Sequence, residues 1–265
     1  MAGPILIFDS GVGGLSVAAA IRERLPAATL AYVCDNAMLP YGTKPDAWLV
    51  ERITAVCREA VRVSGAAVLV VACNTASTLA LEALRAALDI PVVGTVPAIK
   101  PAAALSRTGT IALLATSATV NRAYTRQLIE EFAGHCRVLR LAADPLVAEA
   151  ERHLAGEPAD EATLVASLAP LWRESALDTV VLGCTHFPLL RARFAACAPR
   201  VVAWVDSGDA IARRVAAIVA TPLAGQTNRA WATAPGRALA AILAERGFGS
   251  PQVLDPGAVR VPVAR

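Results

Sequence analysis

The chain has 265 residues, 55% hydrophobic and 18% charged, and 25 basic against 22 acidic side chains leave a net charge of +3. That length and balance describe one large or two modest folded domains and speak against disorder. Without a basic block there is no support for nucleic-acid or membrane-surface binding, and the short, interrupted apolar runs predict no transmembrane helix.

In chain order, MAGPILIFDSG lacks a basic n-region and meets Asp9 too early for a signal peptide, so a cytoplasmic location is expected. ILIF at 5–8 reads as a strand, followed by a Gly-rich turn and a helix from about Leu15 to Arg24. ATLAYVCD at 28–35 is a second strand, and DNAMLPYGTK at 35–44, with Pro40 and Gly42, is a turn or loop. A long helix pattern spans Asp46 to Ser64 and ends at Gly65. AAVLVVAC at 66–73 is a buried-type strand, followed by a helix through Leu88. PVVG at 91–94, TIALLAT at 110–116, RVLRLA at 137–142, DTVVLGC at 178–184 and RVVAWVD at 200–206 follow, with helices in most gaps. The last stretch, GSPQVLDPGAVRVPVAR, reads as an irregular tail. Continuous Val/Leu/Ile runs alternating with helices indicate an α/β fold with mainly parallel sheets covered on both faces by helices.

The order of elements occurs twice. ILIFDSGVGGLS resembles TIALLATSATVN: an apolar strand, small hydroxyl residues, then a helix. VLVVACNTAST resembles TVVLGCTHFPL: an apolar strand, a cysteine, a threonine, then a helix. Asp9 to Cys73 and Thr116 to Cys184 are similar separations, so two similar α/β domains are expected. The boundary falls near VPAIKPAA, where two prolines interrupt a helical pattern, and a second crossing near Asp206 returns the C-terminal helix to the first half. The expected division is 1–97 with 207–265, and 98–206.

In open α/β sheets ligands bind outside the carboxyl ends of the strands. The polar clusters fall at such ends: Asp9-Ser10, Asp35-Asn36, Cys73-Asn74-Thr75, Thr116-Ser117, Cys184-Thr185-His186 and Asp206-Ser207. Together they suggest a cleft lined with hydrogen-bonding groups. Cys73 reads either as a buried thiol beside an Asn74 or Thr75 cap, or as a thiol whose anion is favoured by a helix N-terminus. His186 reads as a polar residue at a helix start or as a proton partner of Cys184; no Cys or His stands at metal spacing from it. Tyr41 and the Gly42 backbone could reach a ligand, or Tyr41 packs as an aromatic lid. Asp9 could assist a thiol or cap the following helix. The loop DSGVGGLS has Ser16 where a dinucleotide fingerprint requires glycine, although Asp35 sits near the expected acidic position. The turn better suits backbone N–H groups approaching a small anion.

None of the six cysteines (34, 57, 73, 136, 184, 197) forms a CxxC pair or a zinc spacing, so free thiols and no metal are expected. Lys44 and Lys100 are the only lysines, and neither sits in a recognisable pyridoxal phosphate pocket. Two cysteines in matching positions of two similar halves suit proton transfer on both faces of one carbon: one thiolate removes a proton while the opposing thiol delivers one. Cysteine protease chemistry would leave the second cysteine unexplained.

FDSGVGGLSV, DNAMLPYG, ACNTAS, GTVPAIKPA, LLATSATV, GCTHFPLL and DSGDAIARR resemble the glutamate racemase family, in order, with weak likeness beyond about residue 215. The resemblance implies two domains related by a pseudo-two-fold with the active site in the cleft between them. It also implies cofactor-independent interconversion of L- and D-glutamate, supplying D-glutamate for bacterial peptidoglycan. Carried over by motif, Cys73 and Cys184 are the catalytic thiols, and Asp9 and His186 the assisting acid/base groups. Substrate contacts would come from Asp9, Ser10, Tyr41, Gly42, Asn74, Thr75, Thr116, Thr119, Thr185 and His186. One departure is Asn121, where the family more often has serine. The expected partner is a small-molecule substrate, glutamate, with no nucleic acid and no membrane, and a homodimer is the candidate assembly. The rival readings are a related racemase acting on aspartate or another amino acid, a non-catalytic amino-acid-binding protein and, more remotely, a nucleotide-dependent oxidoreductase.

Overall fold

The structure, a computed structural model, describes residues 3–219 and 223–257. The first elements are β1 (Ile5–Asp9), α1 (Leu15–Arg24), β2 (Leu30–Cys34), α2 (Asp46–Ser64), β3 (Val68–Val71), α3 (Asn74–Ala87) and β4 (Val92–Gly94). Next come α4 (Ile99–Leu105), β5 (Thr110–Ala115), α5 (Ser117–Val120), α6 (Ala123–Ala133), β6 (Arg137–Ala142), α7 (Pro145–Leu154) and α8 (Glu161–Leu168). The chain continues through β7 (Thr179–Leu182), α9 (Arg191–Cys197), β8 (Ala203–Val205), α10 (Gly208–Ile218), β9 (Arg229–Ala232), α11 (Arg237–Glu245) and β10 (Gln252–Val253). It divides into two compact units: the first runs to Thr95 and resumes at Gly208, and the second is Val96–Ser207.

The first unit is built on a six-stranded sheet in the order β10-β9-β2-β1-β3-β4, with every strand pairing parallel. β1, β2 and β3 are buried along their whole length, which is why they read as continuous apolar runs rather than alternating ones. α2 packs Leu49, Ile53, Val56, Cys57 and Ala60 into one core with Ala76, Ala80 and Leu84 of α3, each set recurring at helical spacing. α2 stops at Gly65, whose φ of 64° is the left-handed conformation that ends helices and favours glycine. Two strands escape the sequence reading. β9 is four residues, and β10 lies in the stretch read as an irregular tail, where Gln252 and Val253 pair with Trp231 and Ala232. So short an exposed edge strand carries no apolar run to reveal it.

The second unit holds a four-stranded parallel sheet, β6-β5-β7-β8, with β6 a partly exposed edge. Ile99, Ala102 and Ala103 of α4 and Leu128 and Ala133 of α6 pack with Ile111 and Leu113 of β5 and Val181 of β7. Pro101 does not interrupt the helix here. It is the third residue of α4, inside the first turn, where its missing N–H forfeits no intrahelical bond. A second difference follows β7. α3 begins directly after Cys73, whereas Cys184 is followed by a 3-10 turn at Phe187–Leu190 containing Pro188, and only then by α9. The inner order of both sheets is nonetheless the same: second strand, first, third, fourth. The duplication in the sequence is therefore a duplication of sheet topology. Among the described residues no helix is long and apolar enough to cross a membrane.

Candidate active site

In each sheet the strand order reverses beside the first strand, between β1 and β3 in one unit and between β5 and β7 in the other. Loops leaving neighbouring strands there go to opposite faces, which opens a crevice at the carboxyl end. The register delivers the polar clusters to these crevices. Asp9 pairs with Cys34, the Asp35 N–H donates to Asp9 O at 3.1 Å, and the Ala72 N–H donates to Phe8 O at 2.9 Å.

In the first unit Cys73 is the N-cap residue of the fourteen-residue α3 and is buried. Its Sγ lies 3.7 Å from Ser10 Oγ, so strand ends far apart in sequence meet at the switch point. Asp9 is fully buried, and its Oδ1 accepts the Gly11 N–H at 3.0 Å. That bond shapes the glycine turn leading to α1, whose cap residue is Gly14. A Cβ on Gly14 would stand 2.9 Å from Asp9 Cβ and 3.0 Å from Tyr32 Oη, so only glycine lets the turn pass this close. Asn74 and Thr75 are buried in the first turn of α3, and Asn74 Oδ1 is buried with no hydrogen-bond partner. A buried polar atom left unmatched is what a bound polar group would satisfy.

Tyr41 and Gly42 lie on a 3-10 turn at Tyr41–Thr43, with Tyr41 buried and Gly42 exposed. The Tyr41 hydroxyl donates to Asp35 Oδ2 at 2.9 Å, and Arg52 forks onto the same carboxylate through Nε (2.9 Å) and Nη2 (2.7 Å). Burial first, then the Asp35 charge, push the Tyr41 hydroxyl well above the usual tyrosine range, so it stays a donor. The carboxylate that a dinucleotide site would offer to a ribose is thus engaged by side chains of its own unit.

In the second unit Cys184 follows Gly183 at the end of β7. A Cβ on Gly183 would come within 2.6 Å of Leu113 Cδ1, so glycine is what allows β7 to lie against β5 just before the thiol. Cys184 Sγ lies 3.8 Å from His186 Nδ1, and His186 Nε2 lies 2.8 Å from Glu151 Oε1. An ionised carboxylate only accepts, so Nε2 carries the proton toward Glu151; in the neutral imidazole Nδ1 is then the acceptor facing the thiol, and in the charged form both nitrogens donate. Glu151 was not a sequence candidate. It comes from α7, which packs on the 187–190 turn. The one signal was a helix, PLVAEAERHL, that carries two glutamates on or beside its buried face: Glu149, itself buried, and Glu151. Thr185 is buried beside Cys184. Thr116 follows β5 as the N-cap residue of α5, and its hydroxyl stands 3.3 Å from that of Thr119. Asn121 continues the turn, its N–H donating to Ser117 O.

Each unit therefore places a buried thiol beside a separate polar group, a hydroxyl in one and an imidazole backed by a carboxylate in the other. The chain also resembles known proteins over most of its length. The family described as Asp/Glu/Hydantoin racemase matches residues 15–215. A glutamate racemase of Shewanella loihica is 49% identical over 232 residues, covering 88% of this chain and 87% of its own. One of Sodalis glossinidius is 46% identical over 262 residues, covering 94% and 90%. The crystal structure of Escherichia coli glutamate racemase, in complex with L-glutamate and the activator UDP-MurNAc-ala, superposes with a TM-score of 0.91 at 44% identity, over 96% of this chain and 98% of that one. With a match over most of its length and relatives this similar, the chain belongs to the Asp/Glu/Hydantoin racemase family.

Proposed function

We infer that the protein is a glutamate racemase, interconverting L- and D-glutamate by proton transfer at Cα between two thiols. The observation that carries the mechanism is the pair of buried cysteines, each at the switch point of a like-ordered parallel sheet and each beside its own proton partner. The choice of glutamate rests on the glutamate racemases that resemble the chain over nearly its whole length.

In this reading one cysteine, as thiolate, removes the α-proton, and the other, as thiol, protonates the opposite face of the carbanion. Electrons and protons balance without a cofactor: the C–H pair becomes the carbanion, the first sulfur gains the proton, and the second loses one. Product leaves the two sulfurs with their protonation states exchanged, which is the starting state for the reverse reaction. Asp9 and Ser10 assist Cys73, whose place at the N-terminus of α3 favours a negative sulfur. His186 accepts and returns the proton of Cys184, with its ring held by Glu151. The hydroxyls and amides of Ser10, Asn74, Thr75, Thr116, Thr119 and Thr185, with the Tyr41–Gly42 turn, would hold the two carboxylates, and Asp9 the ammonium. Fixed donors of this kind stabilise developing negative charge better than water, because they need not reorganise. The reading further includes a cytoplasmic enzyme, with a homodimer as the candidate assembly, whose D-glutamate enters peptidoglycan.

The test follows each glutamate enantiomer in deuterated water with no added cofactor. Wild type should place deuterium at Cα and racemise both, while Cys73→Ser and Cys184→Ser should each lose racemisation. Full racemisation by Cys184→Ser would sink the two-thiol mechanism. Exchange with aspartate but not glutamate would move the substrate, and exchange with neither would point to a binding protein.

A further inference from the structure

The Asp35 carboxylate is completely buried and fully used. Oδ1 accepts from Arg52 Nη2 (2.7 Å) and from the Thr233 hydroxyl (2.8 Å), and Oδ2 accepts from Arg52 Nε (2.9 Å) and the Tyr41 hydroxyl (2.9 Å). Its three donor residues come from three places: α2, the end of β9, and the turn that carries Gly42. Thr233 also receives the Ala37 N–H at 3.1 Å, and Asn36 exchanges two bonds with the backbone of Ala234. The Tyr41–Thr43 turn otherwise makes local bonds, from Lys44 N to Tyr41 O and from Thr43 Oγ1 and Lys44 Nζ to Pro40 O. The turn lies against α3, and the Tyr41 side chain ties it to the body of the unit, packed beside Phe8 and fastened to Asp35.

A buried ion pair is a poor way to gain stability, since apolar residues of the same volume often do as well or better. What a bidentate guanidinium–carboxylate pair supplies is fixed geometry. Arg52 also cancels the Asp35 charge, which would otherwise face a dicarboxylate approaching Gly42. We propose that Arg52, acting through Asp35, is a positioning residue that holds the Tyr41–Gly42 turn in its substrate-binding conformation and so sets affinity rather than turnover. This rests on the glutamate reading above, in which that turn contacts substrate.

The experiment uses the full chain. Arg52→Gln strands a buried carboxylate and tests folding as much as function. The informative variant is therefore the Asp35→Asn/Arg52→Gln pair, which removes both charges together, with Arg52→Lys as the conservative control. The folded double variant should raise KM for both enantiomers about tenfold or more while kcat changes less than about threefold, and Arg52→Lys should recover part of the loss. Amide exchange at residues 41–44 should accelerate in the double variant, with the rest of the unit still protected. An unchanged KM in a folded double variant, or a fall in kcat alone, overturns the proposal. If wild-type protein exchanges no Cα hydrogen of glutamate, the substrate reading has failed. The anchoring is then decided by amide exchange alone, and undiminished protection at 41–44 overturns it.

Discussion

The two cysteine-bearing sheet ends share a strand order and differ in nearly everything attached to it. Cys73 caps a long helix and meets a serine hydroxyl. Cys184 precedes a 3-10 turn and meets a histidine whose far nitrogen is held by a glutamate. In the reading proposed above, one end would favour a negative sulfur through backbone dipoles, and the other would give the thiol proton a place to go. Topology fixes where a reactive group stands, and the local loop decides how its charge is managed.

Exchanging sulfur for oxygen at either end gives the largest break in this comparison. Cys73→Ser and Cys184→Ser should each reduce kcat/KM by about a thousandfold or more. Because enantiomers are equal in energy, kcat/KM must fall equally in both directions. The asymmetry between the ends should instead show in which enantiomer still acquires deuterium, read by NMR. Next is the carboxylate behind the imidazole. Glu151→Gln should lower kcat about a hundredfold, whereas Ser10→Ala at the other end should cost about tenfold, measured by circular dichroism of the racemising solution. An equal loss from both would erase the distinction drawn here.

The residue before each cysteine offers a finer probe, Ala72 in one unit and Gly183 in the other. Gly183→Ala must displace Leu113 and crowd Ala115, and should cost about 1–3 kcal/mol in denaturant unfolding along with reduced kcat. Ala72→Gly makes no such demand and should leave kcat unchanged. The smallest effect concerns the opposite, amino ends of the sheets. There the first unit closes with backbone bonds such as Ala67 N to Pro4 O. The second uses Asp178, which accepts from Ser106 Oγ, Arg107 N, Thr108 N and Thr179 Oγ1. Burial pushes its carboxyl up, but those donors together outweigh burial and hold it down at about 2. With a folded pKa below the unfolded value of about 3.9, its stabilisation is complete above that value and disappears as pH falls toward 2. Asp178→Asn should flatten the decline of Tm between those pH values.

Central strands were legible in the sequence because burial on both faces writes an unbroken apolar run, as in ILIF and VLVV. The repeat was legible for the same reason, and it placed Cys73 and Cys184 at strand ends. β9 and β10 were not, since RAWA and QV are too short to carry a period. Glu151 and Arg52 were hidden differently. Each reaches its partner across the fold, Glu151 to a histidine 35 residues away and Arg52 to an aspartate 17 away. A charged residue on an amphipathic helix looks alike whether it meets water or a buried partner. Tyr41 reads in the sequence as a residue that could reach a ligand or pack as a lid, and the bond from its hydroxyl to Asp35 is a feature the sequence does not reveal.

The chain's return after Ser207 has a consequence for how the protein comes into being. The second unit is contiguous, so a ribosome delivers all of it in one stretch. The first is interrupted: β2 has no neighbour on its outer side until β9 is synthesised, and Asp35 lacks one of its four donors until Thr233 arrives. A nascent chain ending at residue 207 would thus carry both thiols, a finished second unit and an unfinished first one with an open sheet edge. Such edges invite mispairing, so order of synthesis places the hazard on the half that emerges first and is completed last.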